Sequence, residues 1–352
     1  MPKTGIVRDD FFKKHNMGLF HPESPDRLEI VYNMLDEEEM RGRFAPIMPR
    51  EGAEKEITAI HTPEYYHKVA ETAHRNRLTS LDPDTSACPD TFKAAGLAAG
   101  GLLSLVELVQ NGVLNNGFAL VRPPGHHAEA NRAMGFCIFN NVAIAATYLI
   151  NRFNLNKILI VDWDLHHGNA TQHSFYDTPQ VLFFSTHQYP YYPGTGSIDE
   201  AGSGKGKGYT VNVPLRPGAG NEEFIRIYQE ILQPLAREFQ PNFILVSAGF
   251  DTYYQDPLGG MHVTPEGFAT LTRLLMESAD MLCQGKLAIT LEGGYHLEGL
   301  CESVKAVLME LSGDTTASSS VLKKSTPLSS YPIESVINQV KEVQRQFWKC
   351  FS

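Results

Sequence analysis

Lys157–Asn169 reads KILIVDWDLHHGN. Four apolar residues in a row, Ile158 to Val161, are followed at once by Asp162, Asp164, His166, His167 and Asn169. An Ile/Leu/Val run without polar alternation is how a strand reads when both its faces are covered, the condition met in a parallel sheet. The polar residues fall just past its carboxyl end, the edge at which open parallel sheets bind ligands. Asp164 and His166 stand two apart in an extended segment, so their side chains point the same way.

The arrangement recurs along the chain. Gly117–Val121 (GFALV) runs into RPPGHHAE, with Arg122, His126, His127 and Glu129. Phe243–Ser247 (FILVS) runs into AGFD, ending in Asp251, and Leu287–Leu291 (LAITL) into EGGYH, with Glu292 and Tyr295. Val181–Ser185 and Tyr209–Val213 are further strands. Helical patterns occupy Asn141–Phe153, Glu222–Phe239 and Pro265–Leu282, and earlier Pro25–Met40, Pro63–His74 and Thr91–Gln110. Short apolar strands alternating with amphipathic helices predict an α/β fold whose parallel sheet is covered on both faces. Four strand ends then deliver His, Asp and Tyr to a single rim.

Asp251 joins Asp164 and His166 as a third metal ligand. Three protein ligands and one open position make a catalytic rather than a structural site. Two carboxylates with one imidazole are a hard set for zinc, so iron(II) and manganese stay chemically open. With the metal's ligands accounted for, His126 and His127 read as acid/base groups that move a proton between water and a leaving amine. Asp162 and Asn169 are the partners expected to orient them. Tyr295, after Gly293-Gly294, can reach into the site and donate to an oxyanion.

The bulk numbers agree with an enzyme of this kind. A chain of 352 residues, 42% hydrophobic and 20% charged, can bury a sizeable core. A formal net charge of -10 argues against direct nucleic-acid binding and suits a cationic substrate. Five cysteines without a CxxC pair read as free thiols of a reducing compartment. The N-terminus lacks the apolar core of a signal peptide, and the purely apolar stretches are short for a membrane span. The expected location is the cytoplasm, with no membrane contact and a homo-oligomer left open. From Ser312 the Ser/Thr-rich run SGDTTASSSVLKKSTPLSS predicts a linker over 312–330. It separates a catalytic domain, 1–311, from a C-terminal amphipathic helix within 331–352. There Ile333, Val336, Ile337, Val340, Val343 and Phe347 share one face, expected to dock on the chain's own domain.

Taken together, RPPGHHAE, GFCIFNN, ILIVDWDLHHGN, YYPGTG, LVSAGFD, DPLGG and LEGGY, preceded by HPESPDR, resemble the histone deacetylases, in particular class II and the bacterial amidohydrolases related to them. The resemblance spans His21 to Leu311. It implies the arginase/deacetylase fold, a single α/β domain around an eight-stranded, mainly parallel sheet. It also implies zinc on Asp164, His166 and Asp251, His127 as general base, His126 as electrostatic helper and Tyr295 as the transition-state tyrosine. Gly135 would accept from the scissile amide, and Phe136 and Tyr192 would line a narrow channel. Asp84 or Asp82 would hold the substrate backbone, and Arg27 would stand beside an acetate-release cavity. Two structural potassium sites are implied, one on Asp162, Asp164, His166, Ser185 and Thr186, the other on Phe175, Thr178, Val181 and Tyr209.

The activity so implied is hydrolysis of Nε-acetyl-lysine in peptides or proteins. The alternative is an acetylpolyamine or other small acyl-amine. Leu258, where a polyamine-preferring branch has Glu, favours acyl-lysine, although Glu23 or Asp26 could supply an acid instead. A silent acetyl-lysine binder and an arginase-like manganese hydrolase are the remaining readings. The full ligand set with Tyr295 opposes the first, and a single visible triad opposes the second.

Overall fold

Ile158–Asp162 is a fully buried strand lying between Val181–Gln188 and Phe243–Ala248 and parallel to both. The structure, a computed structural model, describes residues 3–314 and 332–352. Its strands in chain order are β1 (Thr4–Val7), β2 (Ala45–Ile47), β3 (Thr79–Asp82), β4 (Thr85–Ala87), β5 (Asn116–Ala119), β6 (Ile158–Asp162), β7 (Val181–Gln188), β8 (Thr210–Leu215), β9 (Phe243–Ala248) and β10 (Leu287–Leu291). Eight form one sheet in the order β2-β1-β5-β10-β9-β6-β7-β8, and every pairing in it is parallel. The antiparallel pair β3–β4 stands apart. The architecture is the single α/β domain expected, with a sheet wholly rather than mainly parallel.

Helices cover both faces, which is why β5, β6, β7, β9 and β10 are buried at every position. Thr91–Gln110 packs on Asn141–Phe153, and Pro265–Cys283 on Leu297–Ser312. Their ends follow local chemistry. Asn140 accepts from the Ala143 amide at 3.0 Å to start one helix, and Asn154 closes it in the left-handed region. His296 starts the Leu297 helix by accepting from the Gly299 amide, and Gly313, at φ 84°, ends it. Thr91–Gln110 is long and apolar enough to cross a bilayer by length and composition, but it is core here, with Leu102, Leu103, Leu105 and Val106 buried.

Three expectations need correction. The helix expected over Glu222–Phe239 is interrupted: Asn221–Ile227 passes into a wide π turn, Tyr228–Leu232, before Gln233–Phe239 resumes. Pro234 lacks the N–H that would bond the carbonyl four residues back, and the wider turn absorbs that loss. Strands β1 and β2 were not expected, because runs of four and three residues carry too little pattern. The C-terminal helix, Ile333–Gln344, buries Ile333, Ile337 and Val340 against β8 as expected, yet Phe347 is exposed and Trp348 is buried. The helix stops at Gln344, so its period no longer governs the next residues. Trp348 Nε1 donates to the Gly208 carbonyl at 2.8 Å, and Gln344 Nε2 to that of Thr210 at 3.1 Å. Of the expected linker 312–330, Ser312 closes the preceding helix, and 315–330 lie outside the described residues.

Candidate active site and metal centre

Asp162 ends β6, and Asp164 and His166 follow it into the loop; Asp251 lies three residues past the end of β9. Because β6 and β9 are parallel neighbours, their carboxyl ends coincide and the three ligand-type groups meet. Oxygens of Asp164 and Asp251 and a ring nitrogen of His166 lie within 4.8 Å of one another. His166 Nδ1 is 3.1 Å from Asp164 Oδ1 and 3.1 Å from Asp251 Oδ2.

That geometry asks for a cation. One Nδ1–H cannot satisfy two carboxylates that converge on it. Burial opposes charge on His166, yet its bonds to Asp164 and Asp251 outweigh this and push it up to about 10. Burial and the charge of Asp164 hold the Asp251 carboxyl above its ordinary range. A divalent ion in place of that one proton would balance both carboxylates. The remaining oxygens are already directed: Asp251 Oδ1 accepts from the Leu165 amide at 2.8 Å, and Asp164 Oδ2 from that of Gly293 at 2.9 Å.

Glycines make room for the carboxylates. A Cβ at Gly249 would stand 1.9 Å from Asp164 Oδ2, and one at Gly293 would stand 2.3 Å from Asp251 Oδ2. Gly249→Ala is therefore expected to remove most of the metal found by elemental analysis while leaving the far-UV circular dichroism unchanged. Stoichiometric metal in that variant would show that Asp164 is free to give way.

The tandem histidines sit beside this triad, their rings 4.0 Å apart between centres. His126 Nδ1 is 3.0 Å from Asp162 Oδ2, and His127 Nδ1 is 2.6 Å from Asn169 Oδ1. These are the two partners expected. Their environments split the pair. Burial disfavours a charge on His126, but Asp164 and Asp162 overcome it and push the ring up to about 10. Burial and the neighbouring His126 and His166 hold His127 well below the ordinary value. The two rings are thus pushed in opposite directions, His126 towards its charged form and His127 away from it.

Tyr295 stands across the cavity, its ring 5.9 Å from that of Phe136. Asp256 Oδ2 accepts from the Tyr295 and His296 amides at 2.6 and 3.1 Å and so fixes the turn. Enclosure pushes the phenol well above its ordinary value, with Arg27 opposing, so it stays a donor. Arg27 lies 5.1 Å from the ring centre and donates to the carbonyls of Glu292 and Gly294 at 2.6 and 2.7 Å.

Gly135, Phe136, Tyr192, Leu258 and Asp84 line the cavity together with His126, His127, His166 and Tyr295. Tyr192 meets His127 edge-on at 5.2 Å. Asp84, not Asp82, lines the cavity, and its Oδ1 accepts from the Gly135 amide at 3.0 Å. Gly135 has φ 57°, and a Cβ there would lie 2.3 Å from the His127 ring, so only glycine brings this backbone so close.

Ser185 pairs with Asp162 across β6 and β7, with Thr186 next to it, so the first expected potassium set shares the sheet edge with Asp164 and His166. Phe175 ends a helix and Val181 begins β7, with Thr178 in the turn between them. Tyr209, just before β8, already gives its carbonyl to the Phe183 amide at 2.9 Å.

Some contributors were not foreseen. Glu292 accepts from the Gly125 and His126 amides at 2.7 and 3.2 Å and from Ser247 Oγ at 3.0 Å, which ties the tandem-histidine loop to β9 and β10. Glu23, considered as a rim acid, is instead fully buried and bonded to Arg122 and Arg27. An acid within HPESPDR and an arginine after a strand were the only signals of that pairing.

Residues 21–311 match the family model described as Histone deacetylase domain. The chain belongs to the histone deacetylase family. "Histone deacetylase 5" of Arabidopsis thaliana is 39% identical over 361 residues, 98% of this chain and 53% of that protein. "Probable deacetylase" of Archaeoglobus fulgidus is 37% identical over 99% of both chains. "Polyamine deacetylase HDAC10" of Homo sapiens is 44% identical over 83% of this chain and 45% of its own length. The chain thus spans about half the length of the plant and human relatives. A solved structure titled "Crystal Structure of HDA15 HD domain" superposes with a TM-score of 0.91 at 38% identity, covering 99% of this chain and 96% of that one. The eight-stranded α/β domain is therefore the histone deacetylase fold. Relatives named for deacetylation support a hydrolase.

Proposed function

We propose that the chain is a zinc-dependent deacetylase that hydrolyses the acetyl amide of Nε-acetyl-lysine in peptides or proteins. The observation that carries this reading is the tandem-histidine pair, each Nδ1 held by its own partner, beside a two-carboxylate, one-imidazole triad whose His166 lines the same cavity as Phe136 and Tyr192. Asp164, His166 and Asp251 would hold the ion. When bound, zinc supplies Lewis acidity and makes a neighbouring water a better nucleophile at neutral pH.

The rest is work for the chain's own groups. Phe136 and Tyr192 grip the aliphatic stem, and the Gly135 carbonyl accepts from the amide N–H. As water adds to the acetyl carbonyl, its proton passes to His127 Nε2. Charge growing on the carbonyl oxygen meets the Tyr295 hydroxyl, and His126 stabilises it electrostatically. His127 then returns the proton to nitrogen as the C–N bond breaks, which leaves acetate and the free amine. The resemblance supports potassium at the two sites it implies as structural ions, and a cytoplasmic location fits the unpaired cysteines.

The second reading is an acetylated polyamine, favoured by the identity to a polyamine deacetylase. Leu258 at the cavity and the burial of Glu23 oppose it, while Asp26, the other acid considered, is exposed. The test compares acetyl-lysine peptide, longer acyl-lysine peptides and acetylputrescine on the zinc-loaded protein. kcat/KM for the acetyl-lysine peptide is expected to exceed that for acetylputrescine by about tenfold or more, the scale of one missing charge contact. The reverse order would replace the first reading with the second.

A further inference from the structure

Glu129 lies two residues beyond the tandem histidines and belongs to no ligand set, yet it is joined to the catalytic end of the cavity. Its Oε1 accepts from Asn169 Nδ2 at 2.5 Å and from His173 Nδ1 at 2.9 Å. Asn169 is buried, and the oxygen of the same amide faces His127 Nδ1 at 2.6 Å. Asn169 thus bridges a carboxylate and an imidazole with opposite ends of one amide. Among the described residues, the other hydrogen-bond contact of its NH2 group is the Met134 sulfur at 3.6 Å, a weak acceptor.

An asparagine amide fits such a slot in two ways, and the two have different consequences. With its oxygen towards His127, the ring must carry its proton on Nδ1, and Nε2 keeps the lone pair. With the amide turned over, NH2 faces Nδ1, the proton moves to Nε2, and the atom facing the cavity can no longer take one. Asn169 and His127 alone leave both arrangements hydrogen-bonded. A carboxylate has no hydrogen to offer, so turning the amide would set the Asn169 oxygen against Glu129 Oε1 at hydrogen-bond distance with no proton between them.

We propose that Glu129 is a positioning residue that holds the Asn169 amide in one orientation and thereby keeps His127 in the tautomer able to act as a base. The inference rests on the base role given to His127 above. His173, half exposed, and Arg132 are the charged neighbours of this carboxylate. Burial would raise Glu129, but the bonds from His173 and Asn169 and the charges of His173 and Arg132 together hold its carboxyl below the ordinary value. The lock therefore reaches from the surface to the cavity through three side chains.

Glu129→Gln is the deciding variant. It preserves size, packing and hydrogen bonding, but its amide can turn to match either orientation of Asn169 and so selects neither. kcat is expected to fall by about five- to tenfold, with KM within about twofold and bound metal unchanged, as a charge-assisted bond is lost to a neutral one. In 15N-histidine-labelled protein, the His127 signals, assigned by difference with His127→Ala, should shift from the Nδ1–H tautomer to a mixture. In an Asn169→Asp background no amide remains to orient and Glu129 faces a second carboxylate, so there Glu129→Gln is expected to raise kcat. Unchanged tautomer and turnover in Glu129→Gln would overturn the proposal, as would a loss of the same sign in both backgrounds. A tautomer shift with kcat unchanged would support the lock and remove His127 from the base role instead.

Discussion

Tyr295→Phe is expected to lower kcat on an acetyl-lysine peptide by about 10²- to 10³-fold, the cost of removing one donor from an oxyanion site. The phenyl ring keeps the edge contact with Phe136 and the position over Arg27, so the cavity keeps its shape. The turn keeps its two bonds from backbone amides to Asp256, which do not involve the hydroxyl. KM should therefore stay within about threefold, because the missing bond is made to charge that develops only in the transition state. Elemental analysis should find the metal content of the parent. Turnover at the parental rate would show that the oxyanion is stabilised without Tyr295.

Asp251→Ala is the second large effect. It removes one of the three proposed ligands and leaves Asp164 and His166, which would be too few to hold zinc at micromolar concentrations. Bound metal is expected to fall from about one per chain to below about a tenth, and activity with it by more than about 10³-fold. The fold should survive, since the change also removes one of two like charges held side by side in the interior. The Leu165 amide loses its acceptor, and His166 Nδ1 keeps Asp164 Oδ1 when it loses Asp251 Oδ2. Near-UV circular dichroism reports whether the core stays packed. A chain that retains stoichiometric metal would overturn the ligand assignment.

These groups were legible in the sequence because they lie within a few residues of strand ends, where topology brings distant segments together. Six apolar runs in the middle of the chain gave the strands, and the polar residues after four of them gave the rim. Asp162 and Asn169 were found because a catalytic imidazole needs a partner and both lay in the same loop. Glu23 was misjudged because its partners, Arg122 and Arg27, come from elsewhere in the chain and nothing local marks the side chain as buried. Asp256 and Glu292 were visible inside motifs, but their work is to hold backbone amides, and an amide leaves no trace in side-chain spacing. The break at Tyr228–Leu232 escaped an amphipathic pattern that runs straight through it. Pro234 was its one signal. Strands β1 and β2, four and three residues long, are set by pairing with their neighbours rather than by composition.

The C-terminal helix has a consequence for the sheet as a whole. A strand at the end of a sheet carries backbone groups that can recruit a strand from another molecule. On β8, Gln344 occupies the Thr210 carbonyl, Trp348 occupies that of Gly208 just before the strand, and Ile337 and Val340 pack over it. The last segment of the chain thereby closes the terminal strand of its own sheet, a built-in guard against intermolecular strand addition.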